Sequence, residues 1–376
     1  MKSLVDMTHI EIGTIHASTS IYVFRFLNTI DNIKRKDFVL LIPPSIENYI
    51  KKNYSEYQYI VFPYTTDLVL KYKRGLSRII FQAKQYRKIV KASQCNNLFI
   101  ASDQHLYTCV PTQAKKIIVI HDLKAIKERS ILTNIKFYIF YFLLIISSYK
   151  TIAISNYTKQ DIIRYFGKFI SHKIEVIYNS ILLSDKIISP QNISENLQYI
   201  LYVNTLQKYK NIQTLLHAIT LIRNFTHKLV IIGKPTPYWT EYALPYIKKN
   251  NLSDKIIHLS HVTDEELHWL YKHASLFVSC STREGFGYTP IEAAICQCPV
   301  ICTQCESLQE TTMNKLEYYN PPYDAKGLSR KITKVLSSPP TLNSLTKISN
   351  IFKDKYSPIV QCHKICNIFN ERILTN

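Results

Sequence analysis

Short apolar runs alternate with longer helical segments through most of the chain. In the first half they are DFVLLIP, NLFIAS, KIIVIHD, KTIAIS and KIEVIYN, and each is followed by a polar or helical stretch. A polar bridge follows Leu182, and a second series then runs YILYVN, KLVIIG, KIIHLS, LFVSC and PVICT. Apolar runs that end in a polar residue or glycine before a helix are typical of parallel βα units. The pattern predicts an α/β protein with two doubly wound Rossmann-like domains facing across a cleft.

The predicted domain bounds follow the polar bridge. A chain of 376 residues with 46% hydrophobic and 20% charged residues is long enough for two ordinary cores. We predict an N-terminal domain over residues 1–182 and a C-terminal domain over residues 183–355. The last segment, residues 356–376, reads as a helix. Ligands of such sheets bind at the carboxyl ends of the strands, so the loops there are the place to look for chemistry.

The formal charge of +20 calls for an anionic partner: nucleic acid, anionic lipid or a phosphorylated small molecule. Lysines and arginines between Lys71 and Lys91 alternate with apolar residues, which fits either a helix on an anionic membrane or a solvated helix. The run from Phe137 to Ile146 is shorter than the roughly 20 residues that span a bilayer, and predicts a buried or interfacial helix. Nucleic acid is not expected, because basic and aromatic residues do not converge on one face.

Nine cysteines occur without a secretory signal at the start of this sequence, which favours free thiols in a reducing cytoplasm. We therefore expect a cytoplasmic protein that is either soluble or peripheral on the inner face of the cell membrane. Four of the cysteines, Cys296, Cys298, Cys302 and Cys305, lie close enough for a metal site. They fall in the apolar run ICQCPVICTQC, where cysteine is typical of a core, and no metal is expected.

The loop after LFVSC carries the strongest chemical signal. Two carboxylates, Glu284 and Glu292, lie eight positions apart, and the glycines Gly285 and Gly287 follow the first. Pro290 falls in the first turn of the next helix, where its missing N–H costs nothing. A helix that opens from such a loop suits a diphosphate, with Glu284 toward a sugar and Glu292 toward ribose hydroxyls. Two surface glutamates on an ordinary strand–helix turn remain the alternative.

Three further loops fit the same ligand. Lys208 and Lys210 follow YILYVN, and a lysine there can offset phosphate charge. Gly233 follows KLVIIG, and Val262 follows KIIHLS, close to where a nucleobase could pack.

From about Lys150 to Glu310 the chain resembles the family 4 retaining glycosyltransferases, which have the glycosyltransferase-B fold. The matching pieces are ISNYTKQDIIRYFG, EVIYNSI, ILYVNTLQKYKN, LVIIGKP, HVTDEELHWLYKHASLFVSCSTREGFGYTPIEAA and PVICT. The resemblance implies that Glu284 contacts the transferred sugar, Glu292 the ribose and Lys210 the diphosphate. It also implies a donor-binding loop made of Gly285, Phe286, Gly287, Tyr288 and Thr289, and a C-terminal helix that packs back on the first domain.

The resemblance extends to KIIVIHDLKAI, where His121 would lie near the anomeric centre or the acceptor. Three features depart from the family pattern: Asn204 and Thr205 replace a glycine and a basic residue, and Ser18 and Ser20 stand where relatives have glycine. The implied function is a retaining, metal-independent hexosyltransferase of bacterial surface polysaccharide synthesis. Its donor would be GDP-mannose ahead of a UDP-hexose, and its acceptor a glycan or lipid-linked saccharide. A catalytically inactive relative that binds a sugar nucleotide or a polyanion is the alternative.

Overall fold

The structure, a computed structural model, describes residues 2–15, 17–31, 34–65, 75–102, 105–127 and 131–371. The chain divides into two compact units. The N-terminal unit comprises the described parts of residues 1–180 and 358–376, and the C-terminal unit comprises residues 181–357. Each unit is built around one parallel sheet.

The sheet of the N-terminal unit has the strand order β3-β2-β1-β4-β5-β6-β7, with every neighbouring pair parallel. Its central strands are buried on both faces, which is typical of a sheet covered by helices on each side. The strands are β1 Ser3–Asp6, β2 Phe38–Ile42, β3 Gln58–Val61, β4 Asn97–Ile100, β5 Lys115–Ile120, β6 Lys150–Ala153 and β7 Ile174–Val176.

The helices of this unit include the last one of the chain. They are α1 Ser18–Thr29, α2 Glu47–Asn53, α3 Gly75–Ala92, α4 Lys124–Lys127, α5 Ile131–Ile146, α6 Asn156–Phe166 and α14 Pro358–Asn370. Helix α14 packs beside α1. Its Phe369 ring lies 5.6–6.1 Å from the rings of Phe26, Phe38 and Phe99. Asn97 Nδ2 donates to the Phe369 carbonyl at 3.3 Å. The core of the N-terminal unit therefore includes residues from the far end of the sequence.

The C-terminal unit repeats the arrangement with the order β10-β9-β8-β11-β12-β13. Its strands are β8 Tyr199–Val203, β9 Lys228–Ile232, β10 Ile256–Leu259, β11 Leu276–Ser279, β12 Val300–Thr303 and β13 Glu317–Tyr319. Its helices are α7 Ile212–Thr220, α8 Leu244–Lys249, α9 Asp264–His273, α10 Tyr288–Ile295, α11 Leu308–Thr311, α12 Ala325–Ser337 and α13 Leu342–Lys355.

Both sheets confirm the predicted doubly wound α/β fold. All ten apolar runs of the sequence analysis form strands, and the structure adds β1, β3 and β13, which the pattern missed. These three strands are only three or four residues long. In each sheet the strand order reverses once, between β1 and β4 and between β8 and β11. Ligands of such sheets bind in the crevice outside the carboxyl ends at that reversal.

Candidate active site

In the C-terminal unit, two predicted site residues meet as an ion pair. Lys210 follows β8 and Glu284 follows β11, so both loops rise from the strands at the reversal. Lys210 Nζ lies 2.6 Å from Glu284 Oε1, and both residues are buried. An ammonium and a carboxylate at this separation form a charge-assisted hydrogen bond, which fixes both side chains in one geometry. The ammonium has two further N–H donors for an anionic ligand.

The backbone holds Lys210 in place. It ends a short 3-10 turn, Lys208–Lys210, and Asn211 then adopts a left-handed conformation with φ of 55°. The Tyr202 hydroxyl donates to the Lys210 carbonyl at 2.9 Å. Thr282 donates to the Tyr209 carbonyl through both its backbone N–H and its hydroxyl, at 2.9 and 3.0 Å. These bonds tie the loop after β8 to the loop after β11.

Glu284 is held from the other side by the loop after β12, which the sequence analysis did not assign to the site. Glu306 Oε2 accepts the backbone N–H of Glu284 at 2.8 Å, and Ser307 Oγ donates to its carbonyl at 2.7 Å. Glu306 itself has a φ of 45°. Its proximity could have been anticipated, because β12 neighbours β11 and its carboxyl end lies at the same edge of the sheet.

Gly287 caps the helix that follows. It adopts a φ of 85°, and a Cβ atom there would lie 2.2 Å from Leu308 Cδ2, so a side chain is excluded both by strain and by contact. Helix α10 begins at Tyr288, and its first-turn N–H groups point out of the helix end, which favours an anion. Phe286 is buried between the rings of Tyr288 and Tyr356, at 5.1 and 5.2 Å. Gly285 and Thr289 are half-buried in the same loop and first turn.

Glu292 lies further along α10 and is half-buried. Its Oε2 accepts a hydrogen bond from the Tyr271 hydroxyl of α9 at 3.1 Å. Burial and the neighbouring Glu292 carboxylate raise the pKa of Tyr271 well above its usual range, so Tyr271 remains a donor. Tyr271 was not among the predicted site residues, since a tyrosine within a helix gives no signal of its partner in sequence.

The remaining predicted residues also lie beyond strands of this sheet. A Cβ atom on Gly233, just after β9, would lie 2.1 Å from the Asn204 carbonyl oxygen, so the close approach of these two loops requires glycine. Asn204 itself donates to Ser281 Oγ at 3.5 Å. Lys208 is exposed, and Val262 is half-buried between β10 and α9.

The N-terminal unit has a polar network at its own strand reversal. The buried Asp6 carboxylate, at the end of β1, accepts from the Thr8 N–H at 2.8 Å, the Thr8 hydroxyl at 2.6 Å and the Tyr86 hydroxyl at 2.5 Å. Tyr107 in turn donates to Thr8 Oγ1 at 2.8 Å. Burial and the Asp6 charge raise the pKa values of Tyr86 and Tyr107 well above the usual range. The network therefore fixes the loops after β1 and β4 without a lysine or arginine.

A cavity of about 800 Å³ opens beside this network. It is lined by Thr8, His9, Glu11, Arg78, Gln82 and His105, among others. Burial, with smaller effects of His105 and His121, lowers the pKa of His9 to about 3, so its imidazole is neutral. Burial also lowers the pKa of His105. Among the described residues, neither His9 Nε2 nor His105 Nε2 has a hydrogen-bond partner. Two neutral imidazoles thus offer hydrogen bonds to a ligand here.

His121 follows β5 in the same unit. Its Nε2–H donates to the Ala101 carbonyl at 2.9 Å, so Nδ1 is the ring nitrogen left for a ligand. The ring edge contacts Tyr22, with centroids 5.3 Å apart and planes at 86°. His121 belongs to one unit and Lys210, Glu284 and Glu292 to the other, so its approach to the donor sugar stays a prediction.

Residues 184–351, which contain the ion pair and the capped helix, match the family described as "Glycosyl transferases group 1". The matched residues lie within the C-terminal unit. The O-antigen chain mannosyltransferase RfbU of Salmonella typhimurium is 28% identical over 215 residues, covering 56% of this chain and 58% of the relative. The O-antigen chain mannosyltransferase B of Escherichia coli is 29% identical over 174 residues, covering 42% and 44%. The chain thus spans about half the length of these curated relatives.

Solved structures extend the likeness to both units. The crystal structure of Anabaena HepE in complex with UDP and glucose superimposes with a TM-score of 0.74 at 15% identity, covering 98% of this chain and 99% of that one. At this identity the likeness concerns the fold. It agrees with the two parallel-sheet units described above and identifies the glycosyltransferase-B fold.

The clustered cysteines of the C-terminal unit lie in its core. Cys296, Cys298 and Cys302 are buried, and burial raises the pKa of Cys296 to about 12 and that of Cys302 well above its usual range. All nine cysteines are free thiols. Within the part of the chain that the structure describes, no group of three histidine, cysteine or acidic side chains is placed to hold a metal ion. The cysteine cluster is therefore explained as part of the hydrophobic core.

Proposed function

We propose that the protein is a retaining hexosyltransferase of bacterial surface polysaccharide synthesis. It transfers mannose or a related hexose from a nucleotide-sugar donor to a glycan or a lipid-linked saccharide. The observation that carries the proposal is the Lys210–Glu284 pair, at 2.6 Å, at the strand reversal that also holds the Gly287-capped helix. This arrangement offers a cation and helix amides to a diphosphate and a fixed carboxylate to a sugar.

The printed names of the relatives support the choice of sugar. RfbU and mannosyltransferase B are described as O-antigen chain mannosyltransferases, so GDP-mannose is the proposed donor ahead of a UDP-hexose. The HepE complex, whose name includes UDP and glucose, keeps a UDP-hexose as the second choice. In the proposed donor site Glu292 binds the ribose hydroxyls, with Tyr271 orienting its carboxylate. Lys208, Gly233, Val262 and the Gly285–Thr289 loop complete the site.

The proposed step breaks the bond between the sugar C1 and the β-phosphate oxygen and forms a bond from C1 to the acceptor oxygen on the same face. The acceptor proton passes to the departing diphosphate, so atoms and charge balance. Lys210 and the first-turn amides of α10 stabilise the negative charge that develops on the leaving group. Because these groups are supplied by the protein, the reaction is proposed to need no metal and to persist in excess EDTA.

The acceptor is proposed to bind the cavity of the N-terminal unit. Besides Glu11 and Arg78, its lining has imidazoles, hydroxyls and an amide that suit the uncharged hydroxyls of a saccharide. His121, with Nδ1 left for a ligand, is proposed to lie against the anomeric centre or the acceptor hydroxyl.

Thermal unfolding with GDP, UDP and ADP tests the donor site first. A ligand that binds only the folded state stabilises it by RT ln(1 + [L]/Kd), about 2.7 kcal/mol at a hundred times Kd. We expect GDP to raise Tm for the wild type, and Glu292→Ala and Lys210→Met to lose that rise. A shift with none of the three nucleotides would overturn the donor-site proposal.

Transfer itself is tested with GDP-mannose and an extract of lipid-linked saccharides, by mass spectrometry of the products. The expected product gains one hexose with retained anomeric configuration. Nucleotide binding without any transfer would instead favour the inactive, binding-only alternative.

A further inference from the structure

Helix α5 is apolar on both of its faces. Phe140, Tyr141, Leu144 and Ile145 face the core and are buried. On the opposite side, large apolar residues recur every three or four positions and are 40–52% exposed: Ile135, Tyr138, Ile139, Leu143 and Ile146. A helix on the surface of a water-soluble domain normally turns charged and polar residues outward. Among the described side chains of α5, the only charged one is Lys136.

A neighbouring segment extends this apolar surface. The Phe169 ring is 62% exposed and lies 6.5 Å from the ring of Phe142 on α5. Lys173 Nζ donates to the Ile146 and Ser148 carbonyls at 2.9 and 2.8 Å, which anchors the segment 168–173 beside the end of the helix. We refer to Ile135, Tyr138, Ile139, Phe142, Leu143, Ile146 and Phe169 together as the α5 face.

The charges around the α5 face are almost all positive. Between residues 131 and 173 the sequence has six lysines and arginines and one acidic residue, Asp161. The Asp161 side chain is 4% exposed and pairs with Arg164 at 3.2 Å, so it offers little negative charge to a partner. Lys136 and Lys168 are exposed next to apolar members of the face. A second copy of this chain would bring two basic surfaces together and is disfavoured by repulsion, whereas an anionic bilayer is complementary.

We propose that the α5 face inserts into the interface of an anionic bilayer, with the helix parallel to the membrane. Sixteen residues of helix measure about 24 Å, less than the roughly 30 Å hydrocarbon core, so α5 suits the interface rather than a span. No helix in the described residues is long and apolar enough to cross a membrane. The proposal deepens the proposed function, because attachment to the bilayer selects acceptors that are themselves lipid-linked.

The same structure distinguishes α5 from α3, where the sequence first indicated a basic helix. Helix α3 exposes Leu76 and Ile80 in its first two turns, and its later turns expose the charged side chains of Lys84, Arg87, Lys88 and Lys91. That arrangement is typical of a solvated helix, and the earlier part of the predicted stretch, Lys71 to Arg74, lies outside the described residues. The large exposed apolar stripe is on α5.

Vesicle co-sedimentation tests the proposal with vesicles of phosphatidylglycerol and phosphatidylcholine, compared with phosphatidylcholine alone. Ile139→Glu and Leu143→Glu should each lower the partition coefficient at least about tenfold, since each replaces an inserted apolar group with a charge. Lys168→Ala should lower it about fivefold, and only on anionic vesicles. Leu342→Glu, at a leucine of the C-terminal unit that is more exposed than Leu143, is the control and should leave binding unchanged. Equal effects of Leu342→Glu and Leu143→Glu would overturn the proposal.

A second measurement reports insertion directly. A tryptophan introduced as Ile139→Trp should be quenched by brominated lipids, while Leu342→Trp should not. No quenching at position 139 would overturn the proposal. So would sedimentation velocity showing a wild-type dimer in solution that Ile139→Glu dissociates, because the face would then pair two copies.

These tests are independent of glycosyl transfer. If vesicle binding holds but no transfer is found, the proposed function fails and the membrane surface stands. If Ile139→Glu retains transfer to a water-soluble saccharide but loses vesicle binding, both proposals stand. Transfer in the absence of any wild-type vesicle binding would retain the proposed function and reject the surface.

Discussion

The two sheets share one strand order, but their crevices have opposite electrostatic character. At the reversal between β8 and β11, the C-terminal unit places a buried lysine against a buried carboxylate. At the reversal between β1 and β4, the N-terminal unit places a carboxylate whose donors are hydroxyls and a backbone amide, beside neutral imidazoles. One strand order therefore supports a crevice with a buried ion pair and a crevice with a buried carboxylate beside neutral imidazoles.

The difference shows that topology gives the location of a site and side chains give its chemistry. A parallel sheet leaves a crevice wherever its strand order reverses, whatever the residues there. Developing charge on a leaving group requires a fixed cation and amides, whereas a saccharide requires hydrogen bonds without a net charge. The following changes test this contrast, from the largest expected effect to the smallest.

Replacing the buried cation should have the largest effect. Lys210→Met removes charge stabilisation of the leaving group, and we expect kcat/KM for transfer to fall about 10²–10³-fold, the range seen on loss of one oxyanion donor. Lys208→Met is the control, since that lysine is exposed and should cost less than tenfold. Because Lys210→Met also leaves Glu284 buried without its cation, urea denaturation of the variant is measured alongside transfer to separate lost stability from lost catalysis. Equal effects at positions 208 and 210 would contradict the assignment.

The loop that carries this cation's partner depends on Gly287. Gly287→Ala forces a left-handed alanine against Leu308, and we expect it to lower the free energy of unfolding by about 2–3 kcal/mol, measured by urea denaturation. Leu308→Ala is itself destabilising, because Leu308 is buried, but in that background the further cost of Gly287→Ala should be smaller, since the contact is removed and only the strain remains. Gly13→Ala in the N-terminal unit is the matched control, because a Cβ there meets nothing within 4 Å.

The N-terminal crevice should respond to pH through His9. Its pKa is near 3 in the folded state and 6.5 when exposed, so between these values the unfolded chain binds a proton that the folded chain does not. The contribution of His9 is complete above pH 6.5 and is lost as pH falls, by up to about 1.4 kcal/mol per pH unit. His9→Asn should therefore flatten the dependence of unfolding free energy on pH between 7 and 5. Parallel curves for the two proteins would contradict a neutral, buried His9.

The smallest effect is expected for Tyr107, which donates one hydrogen bond to the network around Asp6. Tyr107→Phe removes one hydrogen bond to Thr8 Oγ1 and should lower the free energy of unfolding by about 1 kcal/mol. If the acceptor binds in this crevice, its KM should rise while the KM for the donor stays the same. A change in the KM for the donor alone would contradict acceptor binding in this crevice.

The sequence was sufficient for the fold and for the composition of the donor loops. Ten apolar runs flanked by helical segments predicted ten strands, because burial on both faces leaves a continuous apolar pattern. The pattern missed β1, β3 and β13, which begin or end in a polar or acidic residue. Lys210 and Glu284 could each be predicted from their position after a strand, but their pairing depends on which strands are neighbours.

Residues that act through contacts between distant parts of the sequence could not be predicted from it. Glu306 holds a backbone N–H of Glu284, and Tyr271 donates to Glu292 from a different helix. His9 and His105 are separated by nearly a hundred residues and meet only because β1 and β4 are adjacent. Histidines scattered in a sequence carry no sign of such a meeting. The roles predicted for Glu284, Glu292 and His121 stay predictions until the variants above are measured.

The path of α14 has a consequence for synthesis of the chain. Phe369 completes the aromatic cluster around Phe26, Phe38 and Phe99, so this core waits for a residue that is made long after its partners. At roughly 5–20 residues per second, tens of seconds of translation separate these partners. During that interval the second unit, with all of its strands already made, can fold ahead of the first. A stop codon before Phe369 would therefore damage the core of the N-terminal unit.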